Sequence, residues 1–167
     1  MALCRWRAKS IQIYKKHPRK SISIIKRHFS AHSRPFTRCR LFRQGGRVVN
    51  KVWTGSAGGH FESSELDDAT ACILREMDEE LGLLPEHIDG LSLRYITLRK
   101  TNGEIRQNYY FFAKLKEAVD ENLVSNEGVC KWFALDEISA LEMPFTAKYV
   151  MEHFCRIGHA TSSLYAG

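Results

Sequence analysis

Glu76, Glu79 and Glu80 fall at i, i+3 and i+4, a spacing that puts three carboxylates on one face of any helix that carries them. With Asp78 they place four acids within five consecutive positions, just before Leu81 and Gly82. A helix C-terminus favours cations, and like charges three or four apart cost about 0.2–0.5 kcal/mol per pair. A divalent cation relieves that repulsion. Mg2+ and Mn2+ take oxygen ligands and share their shell with water and substrate phosphates. Upstream, the loop Gly55-Ser56-Ala57-Gly58-Gly59 is built of small residues. Gly58 and Gly59 have no side chain, so their backbone N–H groups can come close to a phosphate. Loop and acidic face together suggest a site where metal ions neutralise a di- or triphosphate and water attacks phosphorus. Taken alone, the acidic run reads equally as a solvated helix face.

The elements that must position these groups are legible after Val52. Ala69, Ile73, Met77 and Leu81 recur at helical spacing, giving an apolar face that ends at Gly82. Ser63 or Ser64 is the expected N-cap, with Asp67 three residues beyond Ser64 as in a capping box. Leu91–Arg99 and Ile105–Leu115 read as strands around the turn signal Thr101-Asn102-Gly103. A polar loop from Glu117 to Gly128 precedes a third strand, Val129–Phe133. A short helix, Asp136–Leu141, follows, and then a closing helix, Thr146–Ile157, with Ala147, Val150, Met151 and Phe154 inward. The segment from Gly158 is expected to fray.

The 167 residues fit one ordinary domain with a real core. No apolar run approaches the roughly 20 residues of a membrane helix, so no membrane role is expected. The five cysteines (Cys4, Cys39, Cys72, Cys130, Cys155) are scattered and never form a CxxC pair. Such spacing argues against a zinc cluster or a disulfide framework and fits a reducing compartment, hence the cytoplasm. Cys72 and Cys155 lie in apolar helical patterns and read as small core residues. The net charge of +6 hides a split: residues 1–51 hold 15 of the 25 Lys and Arg and no acid, whereas the remainder carries 10 basic and 19 acidic residues. This basic segment reads as a charged start of the folded domain, with short strands at Ser21–Ile25 and Arg38–Phe42. It also fits a transit peptide, since Arg27-His28-Phe29-Ser30 resembles a mitochondrial processing site, and that alternative would make the protein mitochondrial. A basic arm for nucleic acid is a third reading, which no aromatic-interleaved motif supports.

Gly59 followed by Arg75-Glu76-Met77-Asp78-Glu79-Glu80-Leu81-Gly82-Leu83 resembles the Nudix box, the signature of the Nudix hydrolase family. The family pattern is Gly, five residues, Glu, seven residues, then Arg-Glu-apolar-x-Glu-Glu-x-Gly-apolar. The second half matches at every specified position, and Gly58-Gly59-His60-Phe61-Glu62 resembles the usual lead-in. The first half departs, because nine residues rather than seven separate Glu65 from Arg75. Either two residues are inserted, or Asp67 stands in for the family glutamate. The resemblance implies an α/β (α+β) fold, the α/β/α sandwich with a mixed sheet, over roughly residues 51–158. Residues 1–50 would form the basic N-terminal segment and 159–167 a C-terminal tail.

The resemblance also implies divalent-metal-dependent hydrolysis of a nucleoside diphosphate linked to some group X. Glu76, Glu79 and Glu80 would bind the metal, with Gly59 close by. Arg75 would orient the glutamates, with Glu65 and Gly82 fixing the local geometry. The nucleophile would be a metal-activated water giving its proton to Glu79, Glu80 or Glu127, the last resembling a downstream family glutamate. Arg94, Arg99 and Arg106 are candidates to meet phosphates, and Tyr95, Tyr109, Phe111 and Trp132 to stack a base. Small size favours a nucleoside triphosphate, including an oxidised purine such as 8-oxo-dGTP, with sugar nucleotides and dinucleoside polyphosphates open. A small-molecule nucleotide is the expected partner, nucleic acid is not, and either a monomer or a homodimer is compatible. Two other classes are an isopentenyl-diphosphate-isomerase-like enzyme, whose box is typically degenerate, and a non-catalytic nucleotide sensor, which need not keep all three glutamates.

Overall fold

The computed structural model describes residues 19–30, 33–44, 52–66, 68–101, 104–120, 122, 124–125 and 128–167. The anticipated turn residues Asn102 and Gly103, together with Asp67 and Glu127, lie outside them. The strands are β1 (Arg19–Ser30), β2 (Ser33–Gln44), β3 (Trp53–Thr54), β4 (Ile88–Thr101), β5 (Glu104–Leu115), β6 (Gly128–Ala134) and β7 (Tyr165–Ala166). Two helices flank them, α1 (Ala69–Leu81) and α2 (Phe145–Arg156). One mixed sheet runs β3-β2-β1-β5-β4-β7, with β6 also on β2. The β1/β5 and β4/β7 pairs are parallel and the others antiparallel.

The alternation of β5 divides the core. Phe111, Ala113 and Leu115 pack with Ile73, Met77 and Leu81 of α1. Tyr110 and Phe112, on the opposite face, pack with Ala147, Val150, Met151 and Phe154 of α2. A strand with period two, apolar on both faces, must be covered on both, and one amphipathic helix does so on each side. The result is the expected α/β/α sandwich. Cys72 is fully buried, and the Cys155 thiol packs against the α2 core with its pKa pushed up to about 11 by burial.

Three details correct the sequence reading. The N-cap of α1 is Asp68, whose Oδ1 accepts from Thr70 N and Ala71 N at 2.9 Å each. Ser63 and Ser64 instead form a short 3-10 turn with Glu65. The basic segment carries 12-residue strands rather than short ones. β1 pairs with β2 on one side and with β5 on the other, and Ile22 stands opposite Phe111. An interior strand is held by backbone hydrogen bonds on both edges, so its extent follows its neighbours more than its own composition. Finally, the segment beyond Gly158 is not frayed: β7 lies on β4, with Leu98 N donating to Gly167 O at 2.9 Å.

A chain beginning at Ser33 lacks the strand that joins β2 to β5. It is expected to lose cooperative thermal unfolding altogether. A full-length melting transition in that variant, followed by circular dichroism, would show that β1 is dispensable.

Candidate active site

The site is built around Arg75, on the face of α1 that turns away from the core. Its guanidinium takes Glu65 side-on, Nε to Oε1 at 2.8 Å and Nη2 to Oε2 at 3.1 Å. Nη1 reaches Glu79 Oε2 at 2.8 Å, Nη2 stands 2.9 Å from Glu76 Oε1, and Nη2 also donates to the carbonyl of His60 at 3.2 Å. One cation therefore serves three carboxylates. Glu65, despite the altered spacing, is the acid that grips Arg75. Its second oxygen also accepts from Glu62 N at 2.9 Å, which binds the lead-in loop to the same cluster.

The three helix acids grade from core to solvent. Glu76 is 8% exposed, Glu80 is half-buried, and the Glu79 side chain is 56% exposed. Glu80 Oε2 accepts from Gly58 N at 3.1 Å, so the glycine loop is tied to the acidic face. Glu76 lies directly against Gly59. A Cβ there would overlap the carboxylate, the farther oxygen standing 2.6 Å from it. Only glycine permits this approach. Gly82 closes the helix in the left-handed region at φ 63°, donating to Asp78 O at 2.8 Å, while Leu83 N reaches Met77 O at 3.2 Å. Asp78 is exposed.

Charge and burial pull the glutamates apart. Hydrogen bonding from Arg75 holds the Glu65 carboxyl down at about 2, well under its ordinary 4.5. Burial raises Glu76 above the usual carboxylate value, against the pull of Arg75. The Glu65 interaction stabilises the fold fully above pH 4.5 and is lost as pH falls toward 2. Glu65→Gln is expected to cost about 2 kcal/mol at neutral pH and to flatten the pH dependence of stability between 4.5 and 2. Urea unfolding at several pH values checks both; an unchanged slope would deny the Glu65 titration.

The remaining candidates separate. Tyr109 is half-buried, packs against the α1 core and makes an edge contact with Phe61 at 5.8 Å. Arg99 is exposed and stands opposite Arg106 across the β4–β5 hairpin. Arg94 does not join the acidic face: it is buried, donating to the carbonyls of Ser163 and Gly158. Glu127 lies outside the described residues. Among the described residues no three His, Cys, Asp or Glu side chains are drawn together as a finished metal cage, and Arg75 pairs with both Glu76 and Glu79. The sequence placed His60 and Glu62 in the lead-in to the box but gave neither a role; the structure sets the His60 carbonyl on Arg75 and the Glu62 N–H on Glu65.

Comparison with known proteins supports the same family. A profile of the NUDIX domain matches residues 26–154. No curated protein matches the chain. Among solved structures, an Ap4A hydrolase from C. elegans in a binary complex superposes with a TM-score of 0.67 at 16% identity, covering 87% of this chain and 100% of that one. The MutT protein from Bacillus halodurans gives 0.60 at 20% identity, covering 90% and 87%. The NUDIX domain of Shewanella oneidensis NrtR, complexed with ADP ribose, gives 0.61 at 12% identity, covering 89% and 91%. At these identities the likeness is one of fold.

Proposed function

The chain belongs to the NUDIX domain family of pyrophosphohydrolases, and from that premise we propose that it hydrolyses a nucleoside diphosphate-X with the help of Mg2+ or Mn2+, the preferred substrate being a nucleoside triphosphate cut to monophosphate and pyrophosphate. The observation that carries this reading is the shared guanidinium: Glu65, Glu76 and Glu79 all pair with Arg75, and Glu80 stands beside them. The cluster gathers carboxylate oxygens on one helix face, and such oxygens fit a hard divalent cation. Glu76, Glu79 and Glu80 would hold it, and when bound it neutralises phosphate oxygens and lowers the pKa of water.

The chain's own groups divide the remaining work. Glu65 anchors Arg75, so Arg75 can steer Glu76 and Glu79 without swinging free. The Gly58 N–H fixes Glu80, and the bare Cα of Gly59 leaves room for Glu76. Glu79, the most exposed of the three, is the acid best placed to accept a proton from water, with Glu80 and Glu127 as the other acceptors. Ap4A, for which one similar hydrolase is named, and ADP ribose, bound to another similar domain, share a phosphoanhydride between nucleoside and partner group. That supports the reaction class and leaves triphosphates, including oxidised purine triphosphates, as the first compounds to try.

Release of phosphate or pyrophosphate across a panel of triphosphates, dinucleoside polyphosphates and sugar nucleotides, with and without Mg2+, tests the reading. Metal-dependent turnover on at least one is expected. Tight nucleotide binding with no turnover on any would move the chain to the sensor class.

A further inference from the structure

The β4 edge and its cover stand apart from the acidic face. Between β4 and α2 lies a cavity of about 410 Å³, and Tyr165, Ala166 and Gly167 supply one of its walls. Tyr165 stacks on Tyr95 with centroids 5.2 Å apart and meets the His153 ring at 4.5 Å. Beyond the β4–β7 pairing, two further backbone hydrogen bonds join the segment to β4: Leu98 N to Gly167 O at 2.9 Å and Gly167 N to Ile96 O at 3.1 Å.

What ties the segment down is Arg94. The residue is 8% exposed, and its guanidinium donates to Ser163 O at 3.0 Å, to Gly158 O at 2.9 Å and to Thr161 Oγ1 at 3.3 Å. All three acceptors belong to the segment that follows α2. No carboxylate among the described residues pairs with Arg94, and its Nη1 has no hydrogen-bond partner among them. A buried cation met only by neutral acceptors is costly once those acceptors leave. The segment and the guanidinium therefore hold or release together. When they part, the β4 backbone at Ile96 and Leu98 becomes an open strand edge beside Leu98, a side chain already 61% exposed.

We propose that residues 161–167 form a strap that caps the β4 edge and walls one side of the cavity between β4 and α2, with Arg94 as the positioning residue that clasps it. Held in place, the strap completes a space walled by aromatic faces and lined by no Asp, Glu, Lys or Arg, which admits uncharged apolar groups.

Native-state hydrogen exchange and binding of the neutral fluorophore Nile red test this on the full chain. In Arg94→Gln the Leu98 and Gly167 amides are expected to exchange about tenfold faster or more, and Nile red binding to fall several-fold, while amides of α1 keep their protection. Arg94→Lys, which offers one point charge in place of a fork, is expected to restore only part of the protection. A second variant ending at Ala160 covers the case in which Arg94→Gln fails to fold, and it is expected to show the same loss of dye binding. Unchanged Leu98 exchange in folded Arg94→Gln, or unchanged dye binding in the shortened chain, would overturn the strap.

Discussion

Glu79→Gln and Glu80→Gln are each expected to lower kcat/KM by about 10²–10⁴-fold while leaving the far-ultraviolet spectrum and melting transition near wild type. Both substitutions keep an oxygen where the structure uses one. The glutamine carbonyl at position 79 can still accept from Arg75 Nη1, and at position 80 from Gly58 N. Only the charge is removed. A large loss therefore reports the need for negative charge at the site and not a broken loop. Glu79 is also exposed, so its neutralisation lifts some repulsion within the acidic run and is expected to be neutral or slightly favourable for stability. Steady-state kinetics beside thermal unfolding checks both halves. Full turnover in both variants would remove the acidic face from the reaction.

Gly59→Ala is expected to be the most damaging one-methyl change in the chain. The new Cβ would overlap the Glu76 carboxylate, which cannot retreat freely because it is buried and engaged with Arg75. Either the loop or the carboxylate must shift by the order of an ångström. Such displacements cost about 100-fold in rate, and overpacking costs about 1–3 kcal/mol of stability. Glu76→Asp shortens the obstructing side chain. The double variant is therefore expected to regain stability relative to Gly59→Ala without regaining activity. A Gly59→Ala protein with wild-type stability and rate would show that the close approach is incidental.

The acidic helix was legible because its information is local. Three carboxylates at helical spacing, an apolar stripe at Ile73, Met77 and Leu81, and a glycine stop are all properties of one short stretch. The sandwich was expected only through the resemblance to the Nudix box, and the structure supplies its physical reason: β5 alternates two apolar sets and each demands its own cover. What lay beyond the sequence was pairing at a distance. Nothing local in Arg19–Gln44 says that its strands run 12 residues, because β1 is stabilised by neighbours on both sides that are remote in sequence. Arg94 invited a phosphate role from its residue type alone, whereas burial against the Gly158 and Ser163 carbonyls gives it a different task. The extra spacing before Arg75 left Glu65 and Asp67 open as anchors, and the side-on contact to Glu65 follows from how the 3-10 turn folds back, which spacing alone does not encode.

Titration of Mn2+ followed by electron paramagnetic resonance tests the acidic face as a metal site without reliance on a chosen substrate. The wild-type protein is expected to deplete the free-ion signal, with Glu79→Gln and Glu80→Gln each weakening the affinity by about tenfold or more. Equal Mn2+ binding by the wild type and both variants would contradict the assignment of Glu76, Glu79 and Glu80 as the metal-holding face.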